Sequence, residues 1–95
     1  MQTLFKTDFE KISNFYKVLS DKIRLQIIYI LLNEPKCICV CQLAKKLNRD
    51  QSVIYKHIQI LKKEGIVNTH KEKKFLQCCI KEKKLCNQIL FEIKG

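Results

Sequence analysis

Three cysteines, Cys37, Cys39 and Cys41, stand two residues apart in the stretch KCICVCQLAKKL, and three more, Cys78, Cys79 and Cys86, lie toward the carboxyl end. Thiolates are soft ligands, nucleophiles and targets of oxidation, so such a run can hold a thiophilic ion or answer to redox and sulfur species. It can also simply fill apolar space. On an extended strand all three upstream sulfurs project to one side, whereas in a regular helix residue 39 lies about 200° from residue 37. A three-sulfur site at Cys37, Cys39 and Cys41 therefore needs an extended or unwound segment. Its ligands would be As(III), Sb(III), Cd(II), Pb(II) or Cu(I), with no obligatory cofactor. Cys78 and Cys79, adjacent on one strand, face opposite ways. With Cys86 they form a second candidate group whose plainer role is packing.

The elements that must position these sulfurs follow from hydrophobic spacing. Phe5, Phe9, Ile12, Phe15 or Tyr16, and Leu19 recur at helical period, Ser20 and Asp21 offer caps, and Ile23, Ile27 and Ile30 or Leu31 continue a second helix toward Pro35. Val40, Leu43, Ala44 and Leu47 make a short third helix. Asn48, Arg49 and Asp50 make a turn, with Asp50 as N-cap of a fourth helix that buries Ile54, Ile58 and Leu61 and is closed by Gly65. Residues 66–80 alternate around the charged tip KEKK as a two-stranded hairpin. A last helix, from about Lys81 to Ile93, carries Leu85, Ile89 or Leu90, and Ile93 on its apolar side. The expected class is mainly α with a β-hairpin wing, in the order α-α-α-α-β-β-α, which is the order of a winged helix-turn-helix.

Ninety-five residues with 46% apolar content suit a single domain spanning 1–95. The balance of 19 Lys and Arg against 9 Asp and Glu, net +10, calls for a polyanionic partner and salt-sensitive binding. No run is long enough to span a bilayer and the first residues lack a secretory pattern, so a cytoplasmic location without membrane contact is expected. In that reducing compartment a disulfide framework is not expected. There is no Gly-rich phosphate loop, paired-carboxylate arrangement or supported cysteine–histidine couple, so no enzyme activity is expected.

In a helix-turn-helix the second helix enters the major groove, with polar side chains toward base edges and aliphatics toward the protein. The stretch DQSVIYKHIQILKKEGIV meets both demands. Gln51, Ser52, Tyr55, Lys56 and Gln59 make the reading face, and Lys71, Lys73 and Lys74 of the wing hold the flanking phosphates. His57 reads as a packed or hydrogen-bonded side chain. His70, near the wing, has no partner visible in the sequence.

The segments KVLSDKIRLQIIYILL, CVCQLAKKL, QSVIYKHIQILKKEGIV and HKEKKFLQC together resemble the ArsR/SmtB family of winged-helix, metal-responsive repressors. The specific elements are Leu19, Ser20, Asp21 and Arg24, the Cys39-Val40-Cys41 run, and the Gln51-Ser52 helix start with Lys56-His57. The resemblance implies a homodimer, paired through its first and last helices, that leaves double-stranded operator DNA when a thiophilic metal or metalloid binds. It places Cys39 and Cys41 on the family's thiol motif. Cys37 stands where the family usually has glutamate, and Ala44 where some arsenic sensors carry a third cysteine. No cysteine precedes residue 37, so the amino-terminal thiols of cadmium and lead sensors are lacking, and a last helix without histidine lacks the family's carboxyl-terminal zinc ligands. A redox- or persulfide-responsive regulator using the same thiols, or a regulator with no small inducer, are the alternative readings.

Overall fold

A computed structural model describes residues 7–81 and 83–94, with side chains throughout except those of Leu85 and residues 91–94. Helix α1, Phe9–Leu19, begins where the Asp8 carboxylate accepts the Lys11 N–H at 3.0 Å. Phe5, the first member of the expected stripe, lies outside the described residues, and so does part of the apolar side expected for the last helix.

Helix α2, Lys22–Leu32, is capped by Asp21, whose carboxylate accepts the N–H groups of Ile23 at 2.8 Å and Arg24 at 3.1 Å. It ends at Asn33, two residues ahead of Pro35. A two-residue strand β1, Ile38–Cys39, leads directly into helix α3, Val40–Leu47. Asn48 then takes a left-handed φ of 53°, and the N–H groups of Asn48 and Arg49 return to the carbonyls of Lys45 and Ala44. This paired pattern closes α3 and sets the short turn to helix α4, Gln51–Lys63. Gly65 repeats it at the end of α4. With φ at +79°, it donates to Lys62 while Ile66 donates to Leu61, and a side chain there would strain the backbone although nothing stands within 4 Å.

Strands β2, Val67–Glu72, and β3, Phe75–Ile80, form the expected hairpin, joined by Lys73 and Lys74. Helix α5, Lys83–Lys94, completes the order. The sheet has three strands, ordered β1-β3-β2 and antiparallel throughout, so the expected two-stranded wing gains β1 at its inner edge. Two residues are too few for alternation to announce a strand. Its pairing partner, not its own pattern, makes it one.

The apolar faces meet in one core. Ile27, Ile28 and Leu31 of α2, Leu43 and Ala44 of α3, and Ile54, Ile58 and Leu61 of α4 close over Ile66, Val67, Cys78 and Cys86. No polar or charged side chain is buried among the described residues. Nor, among them, is any helix long and apolar enough to cross a membrane.

A polar link joins α1, α2 and α4 at the surface of this core. Arg24 donates through Nε to the Val18 carbonyl at 2.7 Å, and its Nη1 lies 3.3 Å from Nδ1 of His57 on α4. A guanidinium has only donors, so it donates to this ring nitrogen in the tautomer that leaves Nδ1 without a proton. Partial burial works against ionising Asp21, but the Arg24 N–H, the Arg24 charge, His57 and the Ile23 N–H together hold its carboxyl below the usual value. A carboxyl depressed on folding stabilises above its unfolded pKa and loses that contribution as pH falls through the folded one. Asp21→Ala is therefore expected to lower stability by about 1 kcal/mol at neutral pH. The gap to the parent should close on acidification below about pH 4. Urea unfolding at pH 7 and pH 3 checks both halves, and a gap that does not shrink in acid rules out the charged cap.

Candidate nucleic-acid interface and its thiol pair

Helix α4 shows the side expected of it. Gln51, Ser52, Tyr55 and Lys56 are exposed, Tyr55 at 47%, while Gln59 is half-buried. Asp50 occupies the N-cap position in extended conformation, but its side chain makes no capping hydrogen bond. The positive end of the α4 dipole therefore has no side-chain cap, an arrangement suited to a phosphate.

Lys71 of β2 and Lys73 and Lys74 of the turn are exposed. Lys73 carries a left-handed φ of 59°, which the two-residue connection requires. Lys74 Nζ sits 5.6 Å from the ring centre of Phe75, itself exposed at the tip.

The two basic elements face one another across an open groove of about 780 Å³, walled by Gln51, Ser52, Tyr55 and Lys56 on one side and Lys71, Lys74, Phe75 and Leu76 on the other. Its floor includes Cys39, Val40 and Cys41. A second depression, beside the α3–α4 turn, is lined by Gln42, Lys45, Arg49 and Gln51, again with Cys41. Lys45 and Arg49 thus extend the basic surface beyond the residues picked from the sequence. Their signal was available: a cation in the last turn of α3 and another in the turn itself are where the first helix of such a pair meets the phosphate backbone.

Cys39 has a role that the spacing did not reveal: it is the N-cap of α3. Its sulfur accepts the Cys41 N–H at 3.2 Å, and the Gln42 side chain reaches back to the Cys39 N–H at 3.4 Å. The sequence signal is Cys39-x-x-Gln42, a capping box with sulfur in place of the usual hydroxyl.

The expected trio of upstream sulfurs is divided. The backbone is extended through Cys39 and helical from Val40, and the sulfurs of Cys39 and Cys41 are joined to each other. Cys37, exposed ahead of β1, is joined instead to Cys79 on β3. The register explains this: Ile38 opposes Cys78, so one step back along β1 and one step on along β3 bring 37 and 79 face to face. The disulfide pairs also depart from the thiols expected of a reducing compartment.

The downstream group is divided as well. Cys78 points into the core, where burial pushes its thiol up to about 12 and keeps it protonated at neutral pH. Cys79 faces the other way, and Cys86 is buried in the core.

A helix-turn-helix whose second helix is exposed along a polar, basic side and flanked by a lysine-tipped wing defines a winged-helix regulator. The family described as "Bacterial regulatory protein, arsR family" matches residues 21–69. The chain is 36% identical to the cadmium resistance transcriptional regulatory protein CadC of Listeria innocua, over 84% of this chain and 66% of that protein. It is 34% identical to the arsenical resistance operon repressor of Escherichia coli, over 64% of this chain and 51% of that one. Among solved structures, reduced HlyU from Vibrio cholerae superposes with a TM-score of 0.80 at 26% identity, covering 99% of this chain and 96% of that chain. The chain belongs to the arsR family of transcriptional regulators. It spans about two thirds of the length of the cadmium regulators that it matches.

Proposed function

We propose that the chain is a sequence-specific DNA-binding repressor that works as a homodimer in the cytoplasm and leaves its operator when a thiophilic metal or metalloid ion takes the sulfurs of Cys39 and Cys41. One observation carries this reading: the Cys39–Cys41 pair lies on the floor of the same groove whose walls are the exposed side of α4 and the wing. An ion that withdraws the Cys39 sulfur removes the cap of α3, the first helix of the helix-turn-helix, and so disturbs the seat of α4. Relatives named for cadmium and arsenical resistance favour inducers of this class.

Once a two-electron reductant such as the phosphine has opened their bond, Cys39 and Cys41 offer two convergent thiolates that suit Cu(I). As(III), Sb(III), Cd(II) or Pb(II) call for further donors, and Cys37 joins them only by leaving Cys79. Dimerisation is supported by α1, which exposes Phe9 at 61%, Ile12 at 42% and Tyr16 at 57% at helical spacing along one side. The relatives are regulators, and no catalytic role is assigned.

The test is fluorescence anisotropy on DNA from upstream of the chain's own gene, with a phosphine reductant present. Arsenite, antimonite, Cd(II), Pb(II) or Cu(I) should release the parent protein. Cys39→Ser with Cys41→Ser should bind equally well and ignore all five. Release of that double variant moves the sensor elsewhere, and equal affinity for a random duplex turns the reading toward an architectural module.

A second reading is favoured by the joined sulfurs themselves. The Cys39–Cys41 pair is placed to cycle between dithiol and disulfide within reach of the DNA-facing groove, and a relative of nearly identical extent was solved in a form designated reduced. Release by peroxide or persulfide, but by no metal, selects this reading.

A further inference from the structure

We propose that Cys37, Cys79 and His70 form a second metal site, separate from the Cys39–Cys41 pair, for a thiophilic divalent ion of the zinc and cadmium kind. Among the described residues these are the only three metal-ligating side chains whose donor atoms all lie within 4.8 Å of one another. They come from three different places in the sheet. Cys37 precedes β1, His70 lies on β2, and Cys79 lies on β3 between them.

The register brings them onto one face. Cys79 opposes Asn68, and His70 opposes Gln77, so His70 sits diagonally from Cys79 on the side away from the core, with Cys37 beside Cys79 on the opposite flank. The Cys79 sulfur is 4.0 Å from His70 Nδ1. Ligands about 2.0–2.3 Å from a tetrahedral zinc ion stand about 3.3–3.8 Å apart. Small side-chain rotations therefore suffice to seat an ion. Two sulfurs and one imidazole are a donor set for zinc or cadmium rather than for magnesium or calcium. Cys37 and His70 are exposed and Cys79 half-buried, so the site has an entry path and an open fourth position for water.

The site belongs to the reduced chain, because in the structure the sulfurs of Cys37 and Cys79 are joined. A water-soluble phosphine opens that bond: it gives two electrons and becomes the phosphine oxide with oxygen from water, whose two hydrogens leave both sulfurs as thiols. Each thiol then gives up its proton to solvent as the ion binds. Either way β1 is held to β3, but only the metal also takes in β2.

The experiment uses the full chain carrying Cys39→Ser and Cys41→Ser, reduced with phosphine and titrated with Cd(II). The ultraviolet thiolate-to-cadmium charge-transfer band should saturate at one equivalent with the intensity of two thiolates. Adding Cys37→Ser or Cys79→Ser should reduce that intensity by half or more. His70→Ala should keep the two-thiolate band but weaken binding by at least about tenfold. Circular dichroism of each variant separates loss of ligand from loss of fold, and Cys37 and His70, being exposed, can be replaced without opening the core. Absence of the band, its survival at full strength in Cys37→Ser, or unchanged affinity in His70→Ala overturns the proposal.

Discussion

Replacing Tyr55 and Lys56 together by alanine is expected to weaken binding to the regulated promoter by roughly a hundredfold or more, since each base or phosphate contact of this kind is worth about 1–3 kcal/mol. The chain should remain folded and paired, because both side chains are exposed on α4 and neither contributes to the core. The two losses differ in kind. Lys56 is expected to neutralise a phosphate, so its removal should flatten the salt dependence of binding by nearly one unit of log–log slope, while Tyr55→Ala alone should leave that slope unchanged. Anisotropy titrations across a range of potassium chloride concentrations resolve both. Retained affinity in the double variant would mean that a surface other than α4 meets the DNA.

Two positions along the same helix, the opposite outcome is expected. Ile58 is fully buried among the α2, α3 and α4 side chains, and Ile58→Ala should remove about 2–5 kcal/mol of stability through lost burial and the cavity left behind. Small domains hold about 5–15 kcal/mol in total, so the variant should stand near the edge of folding. Lys56→Ala should change stability by no more than about 0.5 kcal/mol. Urea midpoints of the two variants, compared at equal m-value, test whether α4 divides its labour between faces. Similar midpoints for both would place Ile58 outside the core.

The helices were legible because each buries a stripe at its own period: Ile54, Ile58 and Leu61 on α4 are spaced as the sequence suggests, and each is fully buried. Strand β1 was not, since Ile38–Cys39 is defined by hydrogen bonds to β3 some forty residues later. The cysteine arrangement failed for the same reason. Spacing two puts residues 37 and 39 on one side of a strand, which is a statement about direction; what each sulfur meets there depends on register with β3, and register between distant strands leaves no local trace. His70 is the clearest case. No cysteine or second histidine stands near it in sequence, yet the hairpin carries it to Cys79. By contrast Asp21 and Arg24 could be singled out but not explained until the fold brought Val18 and His57 to the same guanidinium.

That guanidinium has a mechanical meaning. The Arg24 guanidinium holds the Val18 carbonyl near the end of α1 and reaches His57 of α4, so it ties the end of α1 directly to α4. If two copies pair through α1, the distance between their reading helices is then fixed by that pairing. Operator half-sites should accordingly tolerate changes of base far better than the insertion of half a helical turn between them.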